Sequence, residues 1–245
     1  MLTNNYFDEI TRLLSVVKDA EKDSIDLLAK KIYQAVSNQK CIYIFGCTHA
    51  GILAQEAFYR SSGLAIFNPI LPPGLTCDVR PITMTSEIER IPHYGTIIAQ
   101  QNKIQKGDIV VIHSVSGRNP INIDFALEAH QLGAYIACIT SLEYSKSVTS
   151  RHESGKRLFE ICDLTIDNHC PTGDGVLYID TLGQSIAPAS TVIGCSIINA
   201  LAAQVTEIFL ENHQTPPVFL SANLDGGDQH NQSVLATYQN QIKYL

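Results

Sequence analysis

The 245-residue chain predicts a three-layer α/β sandwich, a parallel sheet covered by helices on both faces. Three observations carry this expectation. Short β-rich apolar runs recur five times, helical patterns separate them, and polar loops bearing Gly or Ser follow two of the runs. Strands buried on both faces read as continuous apolar runs, which distinguishes a parallel sheet from a half-exposed antiparallel one. Ligands of such sheets are expected at the carboxyl ends of the strands, near the point where strand order reverses.

In chain order, Ile10, Leu13, Leu14 and Val17, then Ile25, Leu28, Ile32 and Val36, recur at spacings of three and four, so residues 5–39 read as a helical hairpin. Cys41-Ile-Tyr-Ile-Phe45 is the first strand, and the loop after it opens a helix from Ala50 to Arg60. Leu64-Ala-Ile-Phe67 reads as the second strand, with Asn68-Pro-Ile-Leu-Pro-Pro-Gly74 a loop because its prolines suit neither period. The turn Lys106-Gly-Asp108 leads into Ile109-Val-Val-Ile112, a β-branched third strand followed by a helix over 120–132. Residues 134–139 and 163–166 make the fourth and fifth strands, and a long helix spans about 191–210. The expected organisation is a helical extension (1–39), one α/β domain (40–215), and a C-terminal loop and helix (216–245) that packs on the core or on a dimer partner.

Hydrophobic residues make up 45% and charged residues 17%, enough to bury a sizeable core. A formal charge of -7 argues against a nucleic-acid partner, which needs a concentrated basic face. Seven cysteines without a C-x-x-C pair read as reduced, mostly buried thiols. The first residues lack the basic start and apolar run of a signal peptide, and no run approaches ~18 uninterrupted apolar residues. A cytoplasmic protein without membrane contact is expected.

The strongest local signal is His113-Ser-Val-Ser-Gly-Arg-Asn-Pro120, between a strand and a helix. Ser114 and Ser116 offer hydroxyls, Gly117 allows close backbone approach, and Pro120 suits a first helical turn. Free amides at the helix start, with the positive dipole end, make an anion site suited to a phosphomonoester. The purely structural alternative is a loop capped by Asn119. Gly46-Cys-Thr-His-Ala-Gly51 also joins a strand to a helix, but Ile52 stands where a P-loop needs Lys, and Thr48 where a dinucleotide fingerprint needs Gly. His113 at its strand end is expected to pack in the sheet. Cys47 reads as a tolerated small loop residue, not a nucleophile.

These two loops, with the long helix beginning at Ser190-Thr191, resemble the SIS (sugar isomerase) family over roughly residues 35–215. Glu56-Ala-Phe-Tyr-Arg60, Asn68-Pro-Ile70, the run 140–152 and Ser221-Ala-Asn-Leu-Asp-Gly-Gly-Asp228 are similar to a bacterial sugar-isomerase-like branch of it. The resemblance implies a five-stranded sheet of flavodoxin-like order, a homodimer, and a sugar phosphate held by Ser114, Ser116 and Asn119 beside Gly117 and Arg118. Gly46, Thr48, Ser190 and Thr191 complete the implied binding set. The family's first loop usually reads Gly-x-Gly-x-Ser, whereas Gly46, Thr48 and Ala50 hold those positions here.

Aldose–ketose isomerisation moves a proton between adjacent carbons through an enediol, so it needs a base and a ring-opening group. The resemblance implies a catalytic Glu in the region of Glu56, whose alternative is a surface partner for Arg60 at i+4. His49 in the first loop, or His230 near the C-terminal helix and shared across a dimer, would open the ring; a plain helix-start histidine is the alternative for His230. No metal-ligand spacing is present, so neither metal nor cofactor is expected. Three functions stay open: a sugar-phosphate isomerase, an amino-sugar-phosphate ether lyase using the same Glu56, and a sugar-phosphate sensor without turnover.

Overall fold

Every residue of β1 (Ile42–Gly46) and β3 (Ile109–His113) is buried, as central strands covered on both faces require. A computed structural model describes residues 1–245. Helices α1 (Leu2–Ala20) and α2 (Lys22–Ser37) precede the sheet, and a 3-10 turn at Thr48–Gly51 and α3 (Ile52–Ala57) follow β1. Then come β2 (Phe67–Ile70), α4 (Thr83–Ile88), α5 (Tyr94–Gln101) and β3, followed by α6 (Pro120–Gln131), β4 (Tyr135–Thr140), α7 (Leu142–Ser147) and β5 (Leu164–Asp167). An antiparallel hairpin of β6 (Gly175–Ile179) and β7 (Gln184–Pro188) leads into α8 (Ser190–Glu211), and α9 (Gly227–Tyr238) comes last.

The five parallel strands are ordered β2-β1-β3-β4-β5. Alternation along each strand divides the core in two. Ile42 and Ile44 of β1, Ile109 and Val111 of β3, and Ala137 and Ile139 of β4 face a cluster with α1, α2, α3 and α8. Tyr43, Phe45, Val110, Ile112, Ile136 and Cys138 face the other, with α5 and α6. The chain therefore leaves β1 toward one face and β3 toward the opposite face. Those strands are neighbours in register Gly46↔His113, so the loops after them open side by side at the switch point.

Two expectations need correction. The second strand is Phe67–Ile70, not Leu64–Phe67, and it includes Pro69. β2 is an edge strand, where a missing N–H costs no ladder bond, and Leu64 instead bridges Val218. The helix expected over 50–60 is a 3-10 turn followed by α3, which stops at Ala57, with Phe58 extended and Tyr59 at φ 42°. Helix α8 is long and apolar enough to cross a membrane by length and composition, but its Ile193, Ile197, Leu201 and Phe209 pack in the core, as in the central helix of a folded domain.

Candidate functional site

Five tethers fix the loop after β3. The Thr140 hydroxyl donates to the carbonyl of Ser114 (2.7 Å), and the Ser141 amide to that of Val115 (3.0 Å). The Ser145 hydroxyl donates to the Ser116 carbonyl (2.8 Å), the Leu158 amide to Gly117 (2.8 Å) and the Arg151 amide to Arg118 (2.9 Å). Five successive carbonyls thus turn toward the segment 140–158. In a trans peptide the N–H points opposite to its carbonyl, so the amides of Val115 through Asn119 turn the other way. None of these five amides makes a backbone–backbone hydrogen bond. Unpaired N–H groups in a row before a helix start can hold an anion. Gly117 is needed here, since its φ is 56° and a Cβ would press on the Ser145 hydroxyl and Leu158.

The loop after β1 is equally tight. A Cβ on Gly46 would lie 2.6 Å from the Ala50 carbonyl oxygen, so only glycine lets the turn close. Thr48 adopts φ 53°, and its amide donates to the Leu75 carbonyl (2.7 Å). Cys47 is buried beneath, its Sγ 3.7 Å from Asn122 Oδ1, and burial pushes its thiol well above the ordinary range. This agrees with an inert loop residue.

The two loops meet through Glu89, which follows α4. Its carboxylate accepts from Thr48 Oγ1 (3.1 Å) and from Asn119 Nδ2 (2.6 Å), and its backbone carbonyl faces the Ile121 amide at 3.5 Å in the first turn of α6. Asn119 occupies the N-cap position without a capping bond from its side chain, whose Oδ1 accepts instead from Arg151 Nη1 (2.9 Å). Burial pushes the Glu89 carboxyl above the ordinary carboxylate range, against the bonds from Thr48 and Asn119 and the charges of Arg90 and Arg151. Arg151 is itself held down by burial and by the neighbouring charges of Arg118 and Arg90. Sequence reasoning missed Glu89 and Arg151. Neither has a local signal, because their contacts span 41, 30 and 32 residues.

Other expected residues lie as follows. Ser114 is buried, and its hydroxyl accepts weakly from Asn122 Nδ2 (3.4 Å). The Ser190 hydroxyl donates to Asp174 Oδ2 (2.8 Å), and its amide to Oδ1 (2.8 Å), so a carboxylate sits on the start of α8. His113 packs inside as expected, with Nδ1 3.1 Å from the Ala50 carbonyl. A carbonyl only accepts, so Nδ1 carries the proton and Nε2 is left without a partner. His49 is exposed. Glu56 is ion-paired with Arg60 and accepts from Asn199 Nδ2 of α8 (3.0 Å). His230 Nε2 contacts the Val218 carbonyl (2.9 Å). The structure therefore joins Thr48, Asn119 and the Ser114–Arg118 backbone into one site, while the hydrogen bonds of Glu56 and His230 go elsewhere. No cluster of three or more His, Cys, Asp or Glu side chains is placed to hold a metal.

A SIS domain model matches residues 5–141. A UPF0309 protein of Shouchella clausii is 45% identical over 98% of this chain and 98% of its own length. One from Oceanobacillus iheyensis is 47% identical with the same coverage. Among solved structures, a phosphoheptose isomerase from Francisella tularensis superposes with TM-score 0.56 at 14% identity, covering 84% of this chain and 96% of that one. The Vibrio vulnificus NanR protein complexed with ManNAc-6P gives 0.52 at 13% identity, covering 97% of this chain and 70% of that one. At such identities these superpositions establish the fold alone.

Proposed function

Because the chain belongs to the SIS domain family, we propose that it binds a phosphorylated sugar or amino sugar, with the phosphate on the Ser114–Asn119 loop. The observation that carries this reading is the row of five tethered carbonyls, which leaves five successive amides without backbone partners just before α6. The hydroxyls of Ser114 and Ser116 and the guanidinium of Arg118 add side-chain contacts, and Thr48 closes the site from the first loop. The Vibrio vulnificus NanR protein complexed with ManNAc-6P and a phosphoheptose isomerase, both similar in fold, support this ligand class.

Within the proposal, the reaction is aldose–ketose isomerisation through an enediol, in a cytoplasmic homodimer divided at 39/40 and 215/216, without a cofactor. Glu56 would serve as base, and His230 or His49 would open the ring. A binding-only sensor is the second reading. It is favoured by one observation: Glu56 is engaged by Arg60 and Asn199, and His230 by the Val218 carbonyl.

The test is a thermal-shift screen against sugar phosphates, with NMR following turnover of each hit. Ser116→Ala is expected to weaken the best ligand about tenfold, the scale of one hydrogen bond to a charged group. An unchanged affinity would refute the phosphate assignment. Binding without turnover would establish the sensor.

A further inference from the structure

We propose that the Glu89 carboxylate is a built-in competitor for the phosphate seat, and that a phosphomonoester binds by displacing it. This rests on the reading of the Ser114–Asn119 loop given above. The partners of Glu89 are those a bound phosphate would use: the Thr48 hydroxyl on one loop, the Asn119 amide group on the other, and, through the Glu89 carbonyl, the first turn of α6. A carboxylate and a phosphate cannot share that seat, because like charges a few ångströms apart repel strongly where water is partly excluded.

The charges around the seat support an exchange of one anion for another. The charges of Arg90 and Arg118 both reach Arg151, and those of Arg90 and Arg151 reach the Glu89 carboxylate. Arg118 Nε is buried without a hydrogen-bond partner, so the cluster retains donor capacity that Glu89 does not use. A phosphate dianion carries more charge than a carboxylate and more acceptor oxygens, and it would satisfy the same cluster when Glu89 leaves.

The segment bearing Glu89 is built to move at low cost. Between Pro81 and His93 only Thr85 is buried, while Ile82, Met84 and Ile91 are 42%, 39% and 48% exposed. Ile88 packs against the core on the α5–α6 face, and apart from it and Thr85 little surface is lost when such a strap lifts. Its far end carries left-handed backbone at His93 (φ 62°). The His93 amide is anchored to Asp124 Oδ2 at 2.6 Å, so the far end stays attached to α6.

The experiment measures affinity for inorganic phosphate by titration calorimetry at fixed ionic strength, for the wild type, Glu89→Gln, and each combined with Ser116→Ala. Glu89→Gln keeps the shape and removes the charge. It is expected to bind phosphate about tenfold tighter or more, with Ser116→Ala weakening both backgrounds. Equal or weaker binding by Glu89→Gln, with the Ser116→Ala effect intact, would overturn the competitor and leave the seat standing. Binding insensitive to Ser116→Ala, or absent from every protein, would overturn both. A second measurement needs no variant: tryptic cleavage after Arg90 in the wild type should accelerate as phosphate is added. Protection of that bond by phosphate would also overturn the displacement.

Discussion

His113 illustrates how burial alone writes a pH dependence. Its imidazole, fully enclosed between Ala50 and the start of α8, is pushed from 6.5 down to about 4 by loss of solvent, and the hydrogen bond to the Ala50 carbonyl and the Asp174 charge only partly oppose this. Between those two values the unfolded chain binds a proton that the folded chain refuses. The contribution to stability is therefore complete above pH 6.5 and lost as pH falls toward 4, by about 3 kcal/mol. Urea unfolding across that window should show a shallower acid loss for His113→Gln than for the wild type. Parallel losses would show that another group governs the slope. The inward packing of this histidine was readable from strand alternation. The pairing of Ser190 with Asp174 was not, since it joins positions 16 residues apart across an intervening hairpin.

At the scale of elements, α5 packs backbone to backbone against α6, and Gly95 makes this approach possible. A Cβ there would lie 2.1 Å from the Ile121 carbonyl oxygen and 2.6 Å from the Phe125 amide nitrogen. Backbone cannot retreat as a flexible side chain can. Gly95→Ala is expected to cost about 2–3 kcal/mol, measured as a lowered denaturant midpoint at unchanged slope. Neither α5 nor α4 was anticipated. Tyr94–Gln101 has one buried stripe of Gly95, Ile98 and Ala99, too short a periodic run to separate from a loop. The central strands were legible because burial on both faces forces unbroken apolar runs at Ile42–Phe45 and Ile109–Ile112. The second strand was misplaced because its Pro69 is acceptable only at an edge, and edge status is a property of the whole sheet. Ser, Gly and Pro alone mark the loop after β3 as the candidate anion site in the sequence, whereas Glu89 and Arg151 reach it only after folding.

Over the whole molecule, the segment after α9 returns to the sheet. Buried Asn68 of β2 donates to the carbonyls of Ile42 (3.0 Å) and Gln241 (2.8 Å), and its Oδ1 accepts from the Lys243 amide (2.6 Å). Gln241 in turn donates to the carbonyls of Val36 and Lys40, both at 3.0 Å, and Tyr244 to that of Ala65 at 2.8 Å. One side chain thus ties the edge strand, its neighbour and the C-terminal segment together. Asn68→Ala would leave several buried partners unsatisfied and is expected to cost about 2–3 kcal/mol. Hydrogen exchange should quicken most at residues 240–244; uniform quickening along the chain would mean that the segment is not held through Asn68.

The tethers of the Ser114–Asn119 loop also bear on portability. The matched family segment ends at residue 141, yet Ser145, Arg151 and Leu158, which fix three of the five carbonyls, lie beyond it. Grafted into another scaffold or excised on its own, 5–141 would carry the loop's letters without the grammar that orients its amides. The smallest transplantable unit of this tethered loop extends at least to Leu158.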